Sequence, residues 1–447
     1  MLQELENEFE LFSSRINLIL LVDNARSGNS FFQNLLDGHS NILTCTWIKY
    51  VYSYIVTEFG DSEKLPLNDV LNKWPKTLYF STIYLDSDET ITTRVSKWGG
   101  SADIKLDRAL VREVFHGLLK SDKDYISRKK LILATYFSFA KGMGYAVDRY
   151  KFLFLTDAIS LRTEDPVKGF SGKITKLALN DFPKVKLIQI QRDPRAGFAS
   201  ATHEWINKNG NMYGLKLGNF WSQLLRFSKT NVDREYPFIY TYWLLYFRQT
   251  FLTLKRLKAE LPDQFYIVKN EDLNLNFVET IKLFVEHIGA EFNPLWKDKN
   301  YQPTIMGVQW RGAGAYNSSF QQNTSGMLKN DSDNVSQRSV APNEYVTRRW
   351  KSKLKPHEIK IIEYYLADEI KAYSYGFMYP RLSTLNLFSQ FLRPMRGEIP
   401  TLEWIHLGFR QSYHEFLNRI FYIIGLPIFY TLSRYSFSRL IRRMKIF

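Results

Sequence analysis

The stretch LILLVDNARSGNSFFQNLLDGHS, residues 18–40, decides how the rest of the chain is read. An unbroken apolar run, INLILLV at 16–22, stops at Asp23. A run without polar alternation is what a strand buried on both faces requires, as inside a parallel sheet. Phe31, Phe32, Leu35 and Leu36 then recur at helical spacing. The order is strand, turn, helix, and the turn DNARSGNS falls at the strand's carboxyl end. Ligands of open α/β sheets bind there. Free amides and the dipole at a helix start favour an anion. Gly28 permits close backbone approach. Ser27 and Ser30 offer hydroxyls, Asn29 an amide and Arg26 a rigid fork of donors.

Three later runs repeat the strand pattern: YKFLFLTDA at 150–158, VKLIQIQRDP at 185–194 and QFYIVKNEDL at 264–273. Helical patterns at 128–144, 172–181, 235–260 and 276–289 lie between or after them. Strands alternating with helices predict an α/β fold, a three-layer sandwich around a central parallel sheet. Residues 47–150 are too many for one crossover and carry mostly helical patterns, at Leu106–Leu119 and Arg128–Gly144. They are expected to form a helical insertion over one end of the sheet. Residues 311–345, rich in Gly, Asn and Ser, read as a long irregular loop. The expected organisation is one domain over 1–380 and a separate tail over 381–447.

Composition narrows the partners. The chain has 447 residues, 45% of them hydrophobic, which is ample for a core, and a net charge of +15. That excess suits an anionic partner: a nucleotide, a nucleic acid, a membrane surface or an acidic glycan. The lone cysteine, Cys45, excludes an internal disulfide and a cysteine metal cluster. The seven histidines include no His-x-x-x-His pair, so no metal is expected. The opening residues are acidic and lack a long apolar run, which predicts a cytoplasmic protein. The tail holds ten basic and three acidic residues, and its apolar run at 420–432 is too short to span a bilayer. A basic, aromatic-rich helical tail on the inner, anionic face of the membrane is the expectation.

The turn is not an ATP-binding loop. In the G-x₄-G-K-[ST] pattern, setting Gly28 on the second glycine puts Asp23 at the first and Asn29 at the lysine. Only Ser30 fits, and the cation stands before the glycine instead, at Arg26.

Here the chain resembles the PAPS-dependent sulfotransferases of bacterial type, PAPS being 3′-phosphoadenosine 5′-phosphosulfate. Their first signature, near P-[RK]-S-G-T-T, matches ARSGNS at Arg26, Ser27, Gly28 and Ser30, with Ala25 and Asn29 as departures. LLDGHSNI continues as the family does. Their second signature is a strand ending in R-D-P-R with a serine eight residues after the first arginine. RDPRAGFAS supplies Arg192 and Ser200. NEDL, MGVQWRGAGAYNSSF and RRWKSKLKPHEIKIIE resemble further family elements, and the resemblance spans roughly 15–378.

The resemblance implies a P-loop-like fold and transfer of a sulfuryl group from PAPS, as co-substrate and without metal, to a hydroxyl acceptor. That acceptor is expected to be a glycan or lipid-linked sugar, with no specific nucleic acid bound. Arg26, Ser27, Gly28, Asn29 and Ser30 would cradle the 5′-phosphosulfate, with Arg26 offsetting charge on the departing oxygen. Arg192 and Ser200 would hold the 3′-phosphate, and Arg348 and Arg349 would close over the cofactor. Some relatives place a catalytic Glu about 20 residues after the loop cation, where Thr46 and Trp47 stand here. Asp157, at a strand's carboxyl end, is the candidate base, ahead of His203 and Glu204. The alternatives are a P-loop-like kinase or NTPase, or a basic membrane-surface binder without catalysis.

Overall fold

The computed structural model describes residues 2–23, 26–77, 80–85, 104–160, 170–208, 215–216, 238–239, 241–298, 301–310 and 344–380, with scattered residues between 386 and 425. Five strands form the central sheet: β1 (Asn17–Asp23), β2 (Ile42–Lys49), β3 (Phe152–Ala158), β4 (Lys186–Gln191) and β5 (Phe265–Lys269). All pair in parallel, in the order β2-β3-β1-β4-β5. The sheet therefore grows outward from β1 in both directions. The switch of direction lies between β1 and β4, and the crevice beyond their carboxyl ends is where such a sheet receives a ligand.

The opening run explains why β1 is central. Leu18, Leu20 and Val22 enter one helical layer and Ile19 and Leu21 the other, each at most 1% exposed. Burying each such side chain contributes about 1.5–3 kcal/mol.

The helices that cover the sheet are α1 (Leu2–Arg15), α2 (Asn29–Leu35), α3 (Val51–Phe59), α4 (Arg108–Lys120), α5 (Arg128–Gly142), α6 (Lys173–Asp181), α7 (Pro194–Lys208), α8 (Thr241–Glu260), α9 (Phe277–Ile288) and α10 (Pro356–Tyr365). Phe12 of α1, Ile55 of α3, Leu133 of α5 and Leu177 of α6 share one core with Leu18 and Leu153. Phe32 of α2 and Phe284 and Ile288 of α9 pack with Ile19, Phe154 and Ile190 on the opposite face. A third cluster joins α7, α8 and α10 through Phe198, Trp243 and Ile362.

The four runs read as strands become β1, β3, β4 and β5, with ends within a few residues of the pattern. Two elements were not anticipated. The acidic opening segment is helical, because Phe9 and Phe12 give it a buried face against Phe137. The edge strand β2 runs through position 47, so the segment 47–150 begins inside the sheet. Beyond β2 that segment holds helices and a short antiparallel ladder, Lys64–Pro66 with Tyr125–Ser127. Phe80, Val111, Phe115 and Leu118 join the core of the sheet itself.

The loop expected at 311–345 lies outside the described residues up to 343, and Glu344–Arg348 is helical. Only parts of the tail fall within the described residues, including a helix at Leu402–Gln411. Among the described residues no helix is long and apolar enough to cross a membrane.

Candidate active site

The loop after β1 holds a conformation its residues would not choose. Arg26 has φ 67°, in the left-handed region that costs a residue with a Cβ about 1–2 kcal/mol. Gly28 has φ 106°, and a Cβ there would lie 2.2 Å from Asn270 Nδ2. Gly28 is thus required twice, by backbone angle and by the approach of Asn270. That residue follows β5, is buried, and accepts a hydrogen bond on its carbonyl from Asn274 Nδ2 at 2.7 Å.

Arg26 turns toward the other half of the switch point. Its Nε and Nη2 both donate to Ser200 Oγ, at 3.3 and 3.2 Å. Arg192, just after β4, donates from Nη1 to the Arg26 carbonyl at 3.0 Å. The two signatures, 174 residues apart at Arg26 and Ser200, therefore line one crevice. Ser27 and Asn29 are buried in the loop, and Arg26, Gly28 and Ser30 are half-buried. Because α2 is only seven residues long, an anion here would depend on side chains and loop amides more than on a helix dipole.

A cleft opens beside Arg192 and Ser200, lined also by Ala196, Ala199, Arg349, Trp350 and Lys353. Three cationic side chains and a hydroxyl around one small opening suit a phosphate dianion. The expected pair Arg348 and Arg349 divides. Arg349 and Lys353, one helical turn apart, line the cleft. Arg348 instead pairs with Glu344 at 2.5 Å on the surface and is 70% exposed.

The second arginine of the R-D-P-R signature has a separate task. Arg195 binds Asp193 through Nη2 at 2.7 Å and Glu363 of α10 through Nη1 at 2.6 Å. Its guanidinium carbon lies 4.4 Å from the ring centre of Trp350. Burial opposes its charge, but the two carboxylates outweigh that and raise its pKa. Arg195 thus fixes the α10 segment and Trp350 over the start of α7, which holds the cleft in shape. Glu271 of the NEDL segment supports the same corner. It accepts from the Asp193 amide at 3.0 Å and from the Tyr375 hydroxyl at 2.7 Å.

Asp157 serves as a cap rather than an open base. One oxygen accepts from the amides of Tyr52 at 2.6 Å and Ser53 at 3.3 Å, at the start of α3. The other accepts from Ser53 Oγ at 2.5 Å and the Ala158 amide at 2.8 Å. The side chain is fully buried. Burial pushes its pKa up to about 7, against the opposing pull of the hydrogen bonds from Ser53, Ala158 and Tyr52. With four donors around its two oxygens and no exposed surface, it is closed to a substrate hydroxyl. His203 and Glu204 lie three and four residues beyond Ser200 on α7, and their side chains are outside the described residues. His39 is structural: Nδ1 accepts from the Asn41 amide and Nε2 faces the Glu291 carbonyl, so the proton sits on Nε2.

The aromatic residues Trp47, Tyr50, Tyr52 and Tyr54, at the end of β2 and in α3, are in part core. Trp47 and Tyr52 are buried in the main cluster. The sequence reading also passed over Lys49. This lysine at the end of β2 is 8% exposed and donates to Ser30 Oγ at 3.1 Å. Counting along the chain would not have found it, because β2 is irregular. Thr44 pairs with Phe154, which in even register would set Thr46 beside Thr156; Lys49 is there instead. Lys353 and Trp350 were visible in RRWKSK as a basic and aromatic cluster, but not as lining for the Arg192 cleft.

No protein-family profile matches this chain, and no curated protein matches it. Among solved structures it is similar to the sulfotransferase domain from the curacin biosynthetic pathway, at 11% identity and a TM-score of 0.43, covering 81% of this chain and 98% of that one. It is also similar to the sulfotransferase domain from the Synechococcus PCC 7002 olefin synthase, at 12% identity and a TM-score of 0.37, covering 82% of this chain and 96% of that one.

Proposed function

We propose that the protein transfers a sulfuryl group from PAPS to a hydroxyl acceptor, a glycan or lipid-linked sugar. The observation that carries the reading is the crevice at the switch point, where Arg26 donates to Ser200 and Arg192 donates to the Arg26 carbonyl. Two sets of donors, in the loop after β1 and in the cleft after β4, fit a carrier phosphorylated at two separated positions. The cleft of Arg192, Ser200, Arg349 and Lys353 takes the 3′-phosphate. The Arg26–Ser30 loop takes the 5′-phosphosulfate.

In the reaction the acceptor oxygen bonds to sulfur as the bond from sulfur to the bridging oxygen breaks. The electron pair goes to that oxygen, which departs on the 5′-phosphate of 3′,5′-ADP. Arg26 offsets the charge building there. The acceptor's proton leaves to a base, and with Asp157 engaged as a cap we assign that role to His203 or Glu204. The basic tail brings the protein to the inner membrane face, where a lipid-linked acceptor would be held.

Calorimetry with 3′,5′-ADP and 5′-AMP tests the reading, together with labelled-sulfate transfer from PAPS to extracted glycans and lipids. The 3′-phosphate is expected to add at least about a hundredfold in affinity, from two charge-assisted hydrogen bonds. Equal affinities, or Mg²⁺-dependent turnover of ATP, would overturn it in favour of an NTPase.

A further inference from the structure

The ATP-type loop places a lysine where this chain has Asn29. The structure supplies a cation at the same loop from elsewhere. Lys49 reaches Ser30 Oγ at 3.1 Å from the carboxyl end of β2. We propose that Lys49 holds the sulfuryl end of bound PAPS and is the residue that distinguishes charged donor from spent product. The proposal rests on the function proposed above and assigns one end of that site.

The first argument is the order of the strands. Reading across the sheet, the grips follow β4, then β1, and then, beyond β3, β2. Arg192 and Ser200 stand after β4, the Arg26–Ser30 loop after β1, and Lys49 ends β2. PAPS has its charged groups in one linear order: 3′-phosphate, 5′-phosphate, sulfuryl group. With the 3′-phosphate beside β4 and the 5′-phosphate at the β1 loop, the chain of groups continues toward β2. Among the described residues, Lys49 is a cation placed on that side.

The second argument is that the strand is built irregularly to deliver this side chain. Between the Thr44–Phe154 and Lys49–Thr156 pairs, β2 takes up three more residues than β3. Irregularities of this kind re-aim side chains next to active sites. Two of the displaced carbonyls have donors of their own. Gln33 Nε2 donates to the Cys45 carbonyl at 3.1 Å, and the Tyr136 hydroxyl donates to the Ile48 carbonyl at 3.1 Å. Tyr50, the next residue, is held left-handed at φ 57° while its amide donates to the Thr156 carbonyl at 2.8 Å. Thr46 is anchored to Asn34 Oδ1 at 2.8 Å. Every one of these bonds fixes where Lys49 emerges.

The test compares Lys49→Met, Lys49→Arg and the unaltered protein by calorimetry with PAPS and with 3′,5′-ADP, after thermal melts confirm folding. Lys49→Met is expected to lower PAPS affinity by about tenfold to a hundredfold, the range for one charge-assisted hydrogen bond. The affinity for 3′,5′-ADP should change by less than about threefold, since that ligand has no sulfuryl group. Lys49→Arg should recover part of the loss. Equal losses on both ligands would place Lys49 on the 5′-phosphate and overturn the assignment, and so would no loss on either. An unaltered protein that binds neither ligand removes the sulfotransferase reading itself, a different outcome.

Discussion

Arg192 donates from Nη1 to the backbone carbonyl of Arg26 at 3.0 Å, so one signature's arginine holds the other signature's main chain. The Arg26 guanidinium is not part of that bond. It goes to Ser200 instead. The two arginines are therefore unequal, and their variants should behave differently. Arg192→Met would lose one arginine of the proposed 3′-phosphate grip together with the tether on the left-handed residue. Its affinity for 3′,5′-ADP should fall by about tenfold to a hundredfold, and 5′-AMP should also bind more weakly. Arg26→Met keeps the tether, so it should slow sulfuryl transfer while preserving the preference for 3′,5′-ADP over 5′-AMP. Calorimetry on both variants checks this; if both lose the preference equally, the two grips act as one unit.

The neighbouring pair Arg348 and Arg349 should separate in the same assay. Arg349 lines the cleft, and Arg349→Ala should weaken 3′,5′-ADP by about tenfold or more. Arg348 is in an exposed pair with Glu344, a type worth about 0.3–0.5 kcal/mol. Arg348→Ala should leave binding within about twofold.

Arg195 touches no proposed ligand position but fixes the cleft wall. Removing it leaves Asp193 and Glu363 facing each other in a buried site. Arg195→Ala should lower stability by about 3–5 kcal/mol, read from urea unfolding. Arg195→Lys should restore little, because an ammonium cannot reproduce the fork that binds both carboxylates. Full stability in Arg195→Ala would contradict this account.

Asp157 gives the protein a pH signature. Burial raises its pKa from 3.8 to about 7 in the folded chain. Between those values the native state holds a proton that the unfolded chain has lost. The contribution to stability is present below about pH 4 and is lost as pH rises toward 7. Asp157→Asn keeps an acceptor for the α3 amides but cannot titrate, so it should flatten this segment of the stability–pH curve. Urea midpoints at pH 5 and pH 7.5 decide the matter, and an unchanged slope counts against the assignment.

The membrane role proposed for the tail is best tested by charge. Met395 is fully buried with Trp350 and Ile362, so truncation at 381 would disturb the cleft's own support. Replacing Arg434, Arg439, Arg442 and Arg443 by Gln removes charge while keeping Met395 in the chain. Phe409, Tyr413 and Ile424 are each more than 60% exposed, as an interfacial segment would be. Sedimentation with anionic vesicles should fall in the Gln variant and at raised salt. Identical sedimentation of the two proteins would reduce the tail to packing.

Several parts of this architecture were legible in the chain because their causes are local. Uninterrupted apolar runs made β1, β3 and β4 visible. The helical spacing of Phe32 and Leu35 made α2 visible, and the residues of both signatures marked the loop and the cleft. The strand β2 escaped because ILTCTWIK alternates imperfectly and sits at a sheet edge, where pattern is weakest. Asp157 looked like a base because its position at a strand end was readable, while the α3 amides that occupy it come from 105 residues earlier in the chain.

By itself the sequence determined the sheet class, the position of the loop after the first strand, and the spacing of Arg192 and Ser200 across one strand–helix turn. All three are read from patterns local to each segment. Only the tertiary structure decided that Arg26 bonds Ser200, that Arg349 and not Arg348 faces the cleft, that Arg195 braces it, and that Lys49 reaches Ser30. Those outcomes depend on sheet order and strand register. Register is set by packing among distant segments, and three additional residues in one strand move a side chain from one partner to another without altering any local pattern.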